Sequence, residues 1–448
     1  MPLREYQEDS LRQISQQWRG GRRAVVLVLP TGGGKTAIAA EAIRRTVARG
    51  KKAIFLAHRR ELINQASERF KSENIPHGIL MAGKKTTEAS VQIGSVDTFR
   101  ARNLRPEASL VIWDECHHTV SDTWEAIHAD YKDAHHLGLT ATPCRYDGKG
   151  LGDVFDSMVV GATVEELTAL GFLVPCEVEA PKERLSREYI AQDPVQAYLS
   201  RCAGEKALVY AASVEEAHAL AARFLEIGIK AGAIDGTTKA GIRDDILKKF
   251  LSGELQVLCN MSVLTEGFDV PDATVCIVAR PIGHVGLWLQ ILGRVLRPAT
   301  GKARALVIDL HGSVHAHGLP DDPRVYSLEG NGIVAPQEDE LIHCNQCGNL
   351  LRNFPCRRCG FIPRAKEEAI IINQPLVSIR AKLSRKDEIQ VLDDLLRDCL
   401  RLGYKPGWIF HSFKRKYDYA ISGYKASLIF NEYNRLLELS DSDQMEII

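Results

Sequence analysis

The sequence has no excess of charge: 57 Lys and Arg balance 57 Asp and Glu over 448 residues. The chain as a whole exerts no pull on a polyanion, so a nucleic-acid partner must meet a local basic face. Long apolar runs are also missing. No uninterrupted run reaches the roughly 18 residues of a membrane span, and none is expected. The opening Met1-Pro2-Leu3-Arg4-Glu5 has no apolar signal region, so no secretory leader is expected. Disulfide patterning is absent too. Of 11 cysteines, four stand in two C-x-x-C pairs and the others are scattered through apolar or motif positions. That usage predicts a reducing, cytoplasmic setting with one metal site and no disulfide framework. With 45% hydrophobic and 25% charged residues, the composition is that of a globular chain with sizeable cores. Its length predicts two or three domains.

What is present is organised around Leu29-Pro30-Thr31-Gly32-Gly33-Gly34-Lys35-Thr36. The run follows a strand-like stretch, 24–29, and precedes a helix-like one, 36–48. Glycines let successive N–H groups turn inward toward phosphate oxygens, and the new helix adds its positive end. Lys35 then reaches the β- and γ-phosphates of ATP, and the Thr36 hydroxyl holds Mg²⁺. Leu29 stands where the usual phosphate loop has its first glycine.

Strands and helices alternate onward: strands at 52–57, 91–94, 109–113 and 135–139, helices at 59–71 and 121–131. Alternation of this kind predicts a parallel sheet with helices on both faces and ligands at the carboxyl ends of its strands. One such end is Val111-Ile112-Trp113-Asp114-Glu115-Cys116-His117. Asp114 is placed to hold Mg²⁺ through water, leaving Glu115 to orient or deprotonate the attacking water. His117 and His118 lack further ligands at metal spacing, so they are read as polar groups coupling the site to its neighbours. The next strand ends in Thr140-Ala141-Thr142-Pro143. Those hydroxyls are either turn chemistry before proline or a bridge coupling the nucleotide site to domain motion.

A connector is expected over 161–175, with a short helix closed by Gly171 and Pro175. A second alternating region follows from 206 to 309 without a phosphate loop. It contains Gln290, Arg294 and Arg297, spaced to share one face of a helix predicted over 286–296. A guanidinium matches the charge that spreads over a transferring phosphoryl group.

In this order, Gly-Lys-Thr, Asp-Glu-Cys-His and Thr-Ala-Thr resemble the superfamily 2 helicases of DEAD/DEAH type. The resemblance covers residues 1 to about 310. It implies an α/β fold of two RecA-like parallel-sheet domains in tandem with ATP in the cleft between them. It makes Gln7 of Leu3-Arg4-Glu5-Tyr6-Gln7 the adenine contact. Thr31, Gly32, Gly33 and Gly34 join Lys35 and Thr36 around the nucleotide. Arg59 of 56–62 and Ser95 and Thr98 of 94–99 are implied to grip the nucleic-acid backbone. Ser213, after Ala207-Leu208-Val209-Tyr210, opens the second domain's motifs, and Thr265 also falls to nucleic acid. The fifth motif, Thr265-Glu266-Gly267-Phe268-Asp269, brings Gly267 and Asp269 to the nucleotide site. The sixth brings Gln290, Arg294 and Arg297 as catalytic groups. Within the superfamily the likeness is nearest to RadD-like bacterial DNA-repair helicases, which share the Asp-Glu-Cys-His box and a cysteine-rich C-terminal region. DNA, ahead of RNA, is the implied substrate, in the cytoplasm at the nucleoid. A motor subunit of a restriction or defence complex that does not itself unwind is the alternative.

The expected boundaries are 1–160 and 176–317 for the two domains around the connector, then a Gly/Pro/Asp/Glu-rich linker over 318–340. Next come Cys344-Asn345-Gln346-Cys347 and Cys356-Arg357-Arg358-Cys359, four thiolates for a tetrahedral Zn²⁺ in a zinc-ribbon-like module at 341–363. Arg352, Arg357, Arg358 and Arg364 suit phosphate contact there; a purely structural clip fits equally. A helical C-terminal module is expected over 380–439, starting with an amphipathic helix at 383–402. Trp408, Phe410, Phe413 and Tyr417 alternate with basic residues in it, either a packing unit with a solvated face or a stacking surface for single strands. A protein partner through this module is a further expectation. The end, 440–444, reads as a disordered tail.

Overall fold

The computed structural model describes residues 2–83, 88–118, 122–143, 150–261, 263–264, 268, 270–329, 342–343, 350–351 and 370–378, with 392, 395–397, 399 and 409 beyond. Met1–Ser378 form one compact unit and Ile379–Ile448 another. The expected zinc cysteines and most of the expected C-terminal module lie outside the described residues, as do Thr265, Gly267 and Asp269.

The first half of the large unit is a seven-stranded sheet, all parallel. Its strands are β1 (Ala24–Val28), β2 (Ala53–Ala57), β3 (Gly78–Leu80), β4 (Val91–Ser95), β5 (Leu110–Asp114), β6 (His135–Thr140) and β7 (Ser157–Val160), in the order β3-β4-β2-β5-β6-β1-β7. The apolar runs explain the parallel arrangement: β1, β2 and β5 are buried along their whole length. Side chains alternate between two cores. Val25 and Leu27 join one with residues of α1 (Glu5–Arg19), α2 (Lys35–Val47) and α3 (Arg60–Ser72). Val26 and Val28 join the other with Phe99 of α4 (Val96–Ala101) and Ile127 of α5 (Asp122–Asp130).

A short helix lies between the two sheets. Thr163 and Glu166 make a reciprocal capping box at the start of α6 (Val164–Ala169), and Gly171 closes it at a positive φ of 73°. The second half then has β8 (Cys176–Ala180), β9 (Tyr189–Ile190), α7 (Pro194–Arg201), β10 (Ala207–Ala211), α8 (Val214–Glu226), β11 (Ala231–Ile234), α9 (Ala240–Leu251), β12 (Val257–Asn260), β13 (Val275–Ala279), α10 (Val285–Leu292), β14 (Ala305–Asp309) and α11 (Val314–His317). Short pairs follow: β15 (Ile342–His343) with β16 (Leu350–Leu351), and β17 (Ile370–Ile371) with β9. The second sheet runs β11-β12-β10-β13-β14-β8-β18, where β18 (Val377–Ser378) pairs antiparallel with β8 and the other pairings are parallel. Its seventh strand thus comes from beyond the expected linker. No described helix is long and apolar enough to cross a membrane.

A buried histidine, His136, sits within β6 beside β5. Trp113 Nε1 donates to His136 Nδ1 at 3.0 Å, and His136 Nε2 donates to Tyr131 O at 3.0 Å. The His128 ring lies 4.0 Å from it. Burial first, then neighbouring His128, pulls His136 from 6.5 down to about 3. Between those values the unfolded chain binds the proton and the folded chain does not, so this contribution is lost as pH falls. By about pH 4.5 it removes on the order of 2–3 kcal/mol, at roughly 1.4 kcal/mol per unit. The urea midpoint read from tryptophan fluorescence is expected to drop between pH 7 and 4.5, with a shallower drop in His136→Asn. An equal pH slope in the two proteins refutes the assignment.

Candidate functional site

The sheet delivers its polar residues to one end. After β1 the chain turns through Leu29, whose N–H donates to Thr140 O at 3.0 Å. Gly32 and Gly34 take φ of 88° and 86°, a region that side chains disfavour. A Cβ on Gly34 would fall 2.3 Å from Gln7 Nε2, and one on Gly32 would meet Leu173 at 3.0 Å and Arg297 Cγ at 3.3 Å. The loop is therefore hemmed in from the first helix, the connector and the second domain. Lys35 opens α2 and Thr36 follows it, so both stand at a helix N-terminus. Lys35 Nζ donates to Leu29 O at 3.1 Å. Burial lowers its pKa; Glu115 and then Asp114 oppose that, while Arg294 and Arg297 add to it.

Gln7 braces this loop. It is 4% exposed; its Oε1 accepts from Arg4 N at 3.0 Å and its Nε2 donates to Gly33 O at 3.2 Å. Tyr6 OH donates to the same carbonyl at 2.8 Å. Tyr6 also lies 5.5 Å from the Phe172 ring, over which the Arg4 guanidinium sits at 3.8 Å. Sequence reasoning missed Tyr6 and Phe172; adjacency to Gln7 was the available signal for the first, and nothing marked the second.

Asp114 ends β5 and Glu115 follows it, each 7% exposed. Glu115 holds φ 50°, one of four non-glycine residues with positive φ among those described. Such a conformation costs of order 1 kcal/mol or more and persists where surroundings over-determine it. Its Oε2 is buried and accepts no hydrogen bond, with His117 Nδ1 3.4 Å away.

From there a polar chain crosses to the second domain. Thr140 Oγ1 donates to Thr142 O at 2.7 Å, so its lone pairs face Thr142 N at 3.0 Å and His117 Nδ1 at 3.0 Å. That assigns the proton of His117 to Nδ1 and leaves Nε2 to accept from Gln290 Nε2 at 3.3 Å. His117 thus stands between Thr140 of the first domain and Gln290 of the second. Thr142 Oγ1 is buried without a hydrogen-bond partner, and a Cβ on Gly286 would meet it at 3.0 Å.

The arginines arrive differently from expectation. The helix predicted over 286–296 stops at Leu292. Gly293 N still bonds Leu289 O at 2.9 Å, but Arg294 N bonds Ile291 O at 3.1 Å, a tighter turn. At this point a Cβ on Gly293 would lie 2.5 Å from Thr31 Cβ, so the helix end abuts the phosphate loop. Only Gln290 is on the helix; Arg294 and Arg297 are on the turn after it. Arg294 is 6% exposed and its Nη1 donates to Phe268 O at 2.6 Å.

The expected backbone-gripping residues are spread along two strand ends. Arg59 caps α3 after β2 and its Nε donates to His58 Nε2 at 3.2 Å. Ser95 ends the neighbouring β4 at the N-cap of α4, half-buried, while Thr98 is buried at 7% exposure. Ser213 caps α8, accepting from Glu216 N at 3.1 Å. Arg243 of α9 stands 3.6 Å from Glu61 of α3, an interdomain pair that no motif announced.

Residues 1–145 match the family described as type III restriction enzyme, res subunit, and 191–299 match the helicase conserved C-terminal domain. The chain is similar to a 51.5 kDa protein of Lactococcus phage (isolate 7-9), at 34% identity over 74% of this chain and 76% of that one. It is 25% identical to the DNA 3'-5' translocase XPB2 of Sulfurisphaera tokodaii, over 69% of this chain and 82% of the relative. A Schizosaccharomyces pombe relative bears the provisional name mitochondrial ATP-dependent helicase irc3; identity is 28% over 79% of this chain, which spans 63% of that longer protein. In fold it aligns with a fragment of a provisionally assigned HsdR subunit of a type I restriction enzyme from Vibrio vulnificus YJ016, at TM-score 0.58 and 19% identity, over 72% and 68% of the two chains. Tandem matches to both halves of a helicase motor, and a 34%-identical relative covered over 76% of its length, identify this chain as a member of the superfamily 2 helicases.

Proposed function

We propose that this chain is an ATP-dependent DNA helicase or translocase that hydrolyses ATP between its two RecA-like domains. One observation carries the reading: the turn bearing Arg294 and Arg297 of the second domain lies against the phosphate loop of the first, where a Cβ on Gly293 would fall 2.5 Å from Thr31 Cβ and one on Gly32 3.3 Å from Arg297 Cγ. Lys35, Thr36 and Asp114 would hold ATP and Mg²⁺, the metal supplying charge neutralisation at the phosphates. Gly267 and Asp269 of the fifth motif complete the nucleotide contacts in this reading. Glu115 would orient and deprotonate water; a buried carboxylate oxygen, Oε2, that accepts no hydrogen bond suits a base waiting for a donor. Gln290, through His117 and Thr140, would report closure to the loop after β6, with Thr142 alongside. Arg59, Ser95, Thr98, Ser213 and Thr265 would follow the nucleic-acid backbone. DNA is the substrate favoured, by likeness to a relative named as a DNA translocase. The RadD-like motif set adds a role in repair at the nucleoid.

Glu115→Gln is expected to keep ATP binding and to lose turnover by about 10²- to 10⁴-fold, the usual worth of a positioned base. Binding and turnover are measured separately; near-normal turnover removes Glu115 from this role. The wider test is the ATPase rate with single-stranded DNA, duplex DNA and RNA. No hydrolysis with any of them rejects the proposal. A second reading, a motor subunit of a restriction complex that does not unwind alone, is favoured by the family matched over residues 1–145. A duplex-unwinding assay on the isolated chain separates the two.

Zn²⁺ at Cys344, Cys347, Cys356 and Cys359 belongs to the same proposal and is supported by spacing alone. One zinc per chain is expected, falling in Cys356→Ser with both RecA-like domains still folded. Protein purified without chelator and carrying no zinc refutes the site.

A further inference from the structure

Among the described residues, two short runs join the two domains. The connector is the first crossing: it leaves β7, passes through α6 and enters β8. The second is the run after α11. Trp288, on the same helix as Gln290, donates from Nε1 to Gly318 O at 2.9 Å. Arg324 Nη2 donates to His317 O at 2.9 Å and Leu319 O at 2.8 Å, and Asp322 Oδ2 accepts from Leu319 N at 2.8 Å. The turn 318–324 is thereby fastened to the second domain. A few residues later the chain is fastened to the first. Leu328 O accepts from Gly152 N at 2.8 Å, and the Tyr326 and Leu328 side chains pack against the core that contains Leu151 and Phe155. A Cβ on Gly152 would lie 3.2 Å from Leu328 O, so this docking is close along the backbone.

Only residues 325–327 lie between Arg324 and Leu328, and Tyr326 among them already packs on the first domain. Four residue steps span at most about 14 Å when fully extended. The domains cannot part beyond that reach at this point without undocking one end. Two crossings also leave free only motions that keep both short, which is rotation about a line through them.

We infer that residues 318–328 are a positioning tether for the motor: they keep α10, and with it Gln290 and the arginine turn, within a short stroke of the phosphate loop. The inference rests on the interdomain ATP site proposed above. Its consequence is that the nucleotide-free protein samples closed geometry often, so little ATP binding energy is needed to close the cleft. When the closed fraction falls, apparent affinity falls by the same factor.

The test uses the full chain with six Gly/Ser residues inserted between Val325 and Tyr326. Distances between labels on exposed Lys51 and Ser252 are read without nucleotide. The expected result is a broader distribution shifted to longer distance, an unchanged melting temperature, and a several-fold higher KM for ATP with kcat preserved at saturating nucleic acid. Leu328→Asp should broaden the distribution in the same way, and Leu328→Ile should restore the parent's. An unaltered distribution in the insertion variant overturns the tether. The distance readout needs no turnover: broadening in a protein that hydrolyses no ATP upholds the tether and rejects the ATPase reading.

Discussion

Replacing Arg294 or Arg297 with alanine is expected to slow ATP turnover by about 10³- to 10⁵-fold, with a far smaller change in ATP affinity. The arrangement behind this is unequal. Arg294 is buried and held by Phe268 O at 2.6 Å, while Arg297 lies along Gly32, where an added Cβ would meet its Cγ at 3.3 Å. Both sit on a turn, and that turn is pressed onto the phosphate loop by the contact of Gly293 with Thr31. Charge spreads over the phosphoryl oxygens only as the transition state forms, so a guanidinium placed here acts on kcat more than on binding. Lysine is a poor replacement, because an ammonium lacks the planar fork. Single-turnover hydrolysis and equilibrium binding of a labelled ATP analogue measure the two quantities. An effect confined to affinity assigns the arginines to nucleotide binding alone.

Lys35→Ala should be nearly as severe, with turnover down by at least about 10²- to 10³-fold and ATP binding weakened with it. Lys35 stands at the start of α2 between the loop carbonyl of Leu29 and the acids after β5. Its burial favours the neutral amine, and Glu115 and then Asp114 oppose that. Without it the two buried carboxylates face incoming phosphates with no charge of opposite sign from the loop. A variant that binds ATP as the parent does would assign Lys35 to the transition state alone. One that also turns it over normally would dismantle the site.

The parts of the site that were legible are those at the ends of readable strands. Ala24–Val28 and Leu110–Asp114 are continuous apolar runs, and a buried parallel strand needs little else to be recognised. The residues that end or follow them, Asp114, Glu115 and Lys35, took their places for that reason. Strand β8, Cys-Glu-Val-Glu-Ala, escaped because charges alternate with apolar residues at the sheet's rim; its burial follows that alternation. Strand β7 escaped because it is four residues long. The stop of α10 at Leu292 is a tertiary effect, since the periodicity of Gln290, Arg294 and Arg297 continues past it while the contact with Thr31 lies far off in sequence. The Glu61–Arg243 pair and the docking of Leu328 on Gly152 were invisible for the same reason: each joins segments that only the assembled fold brings together.

The antiparallel pairing of β18 with β8 bears on how this protein can be cut into pieces. Residues 377 and 378 supply the outermost strand of the second sheet, well after the apparent end of that domain. A fragment ending near residue 317 would leave one side of β8 as a bare row of N–H and C=O groups. Such an edge is a template on which another molecule's strand can add, and it seeds aggregation. Fragments carried through Ser378 keep the edge covered. Poor solubility of a shorter piece would therefore report an uncapped sheet margin, with the RecA-like core itself intact.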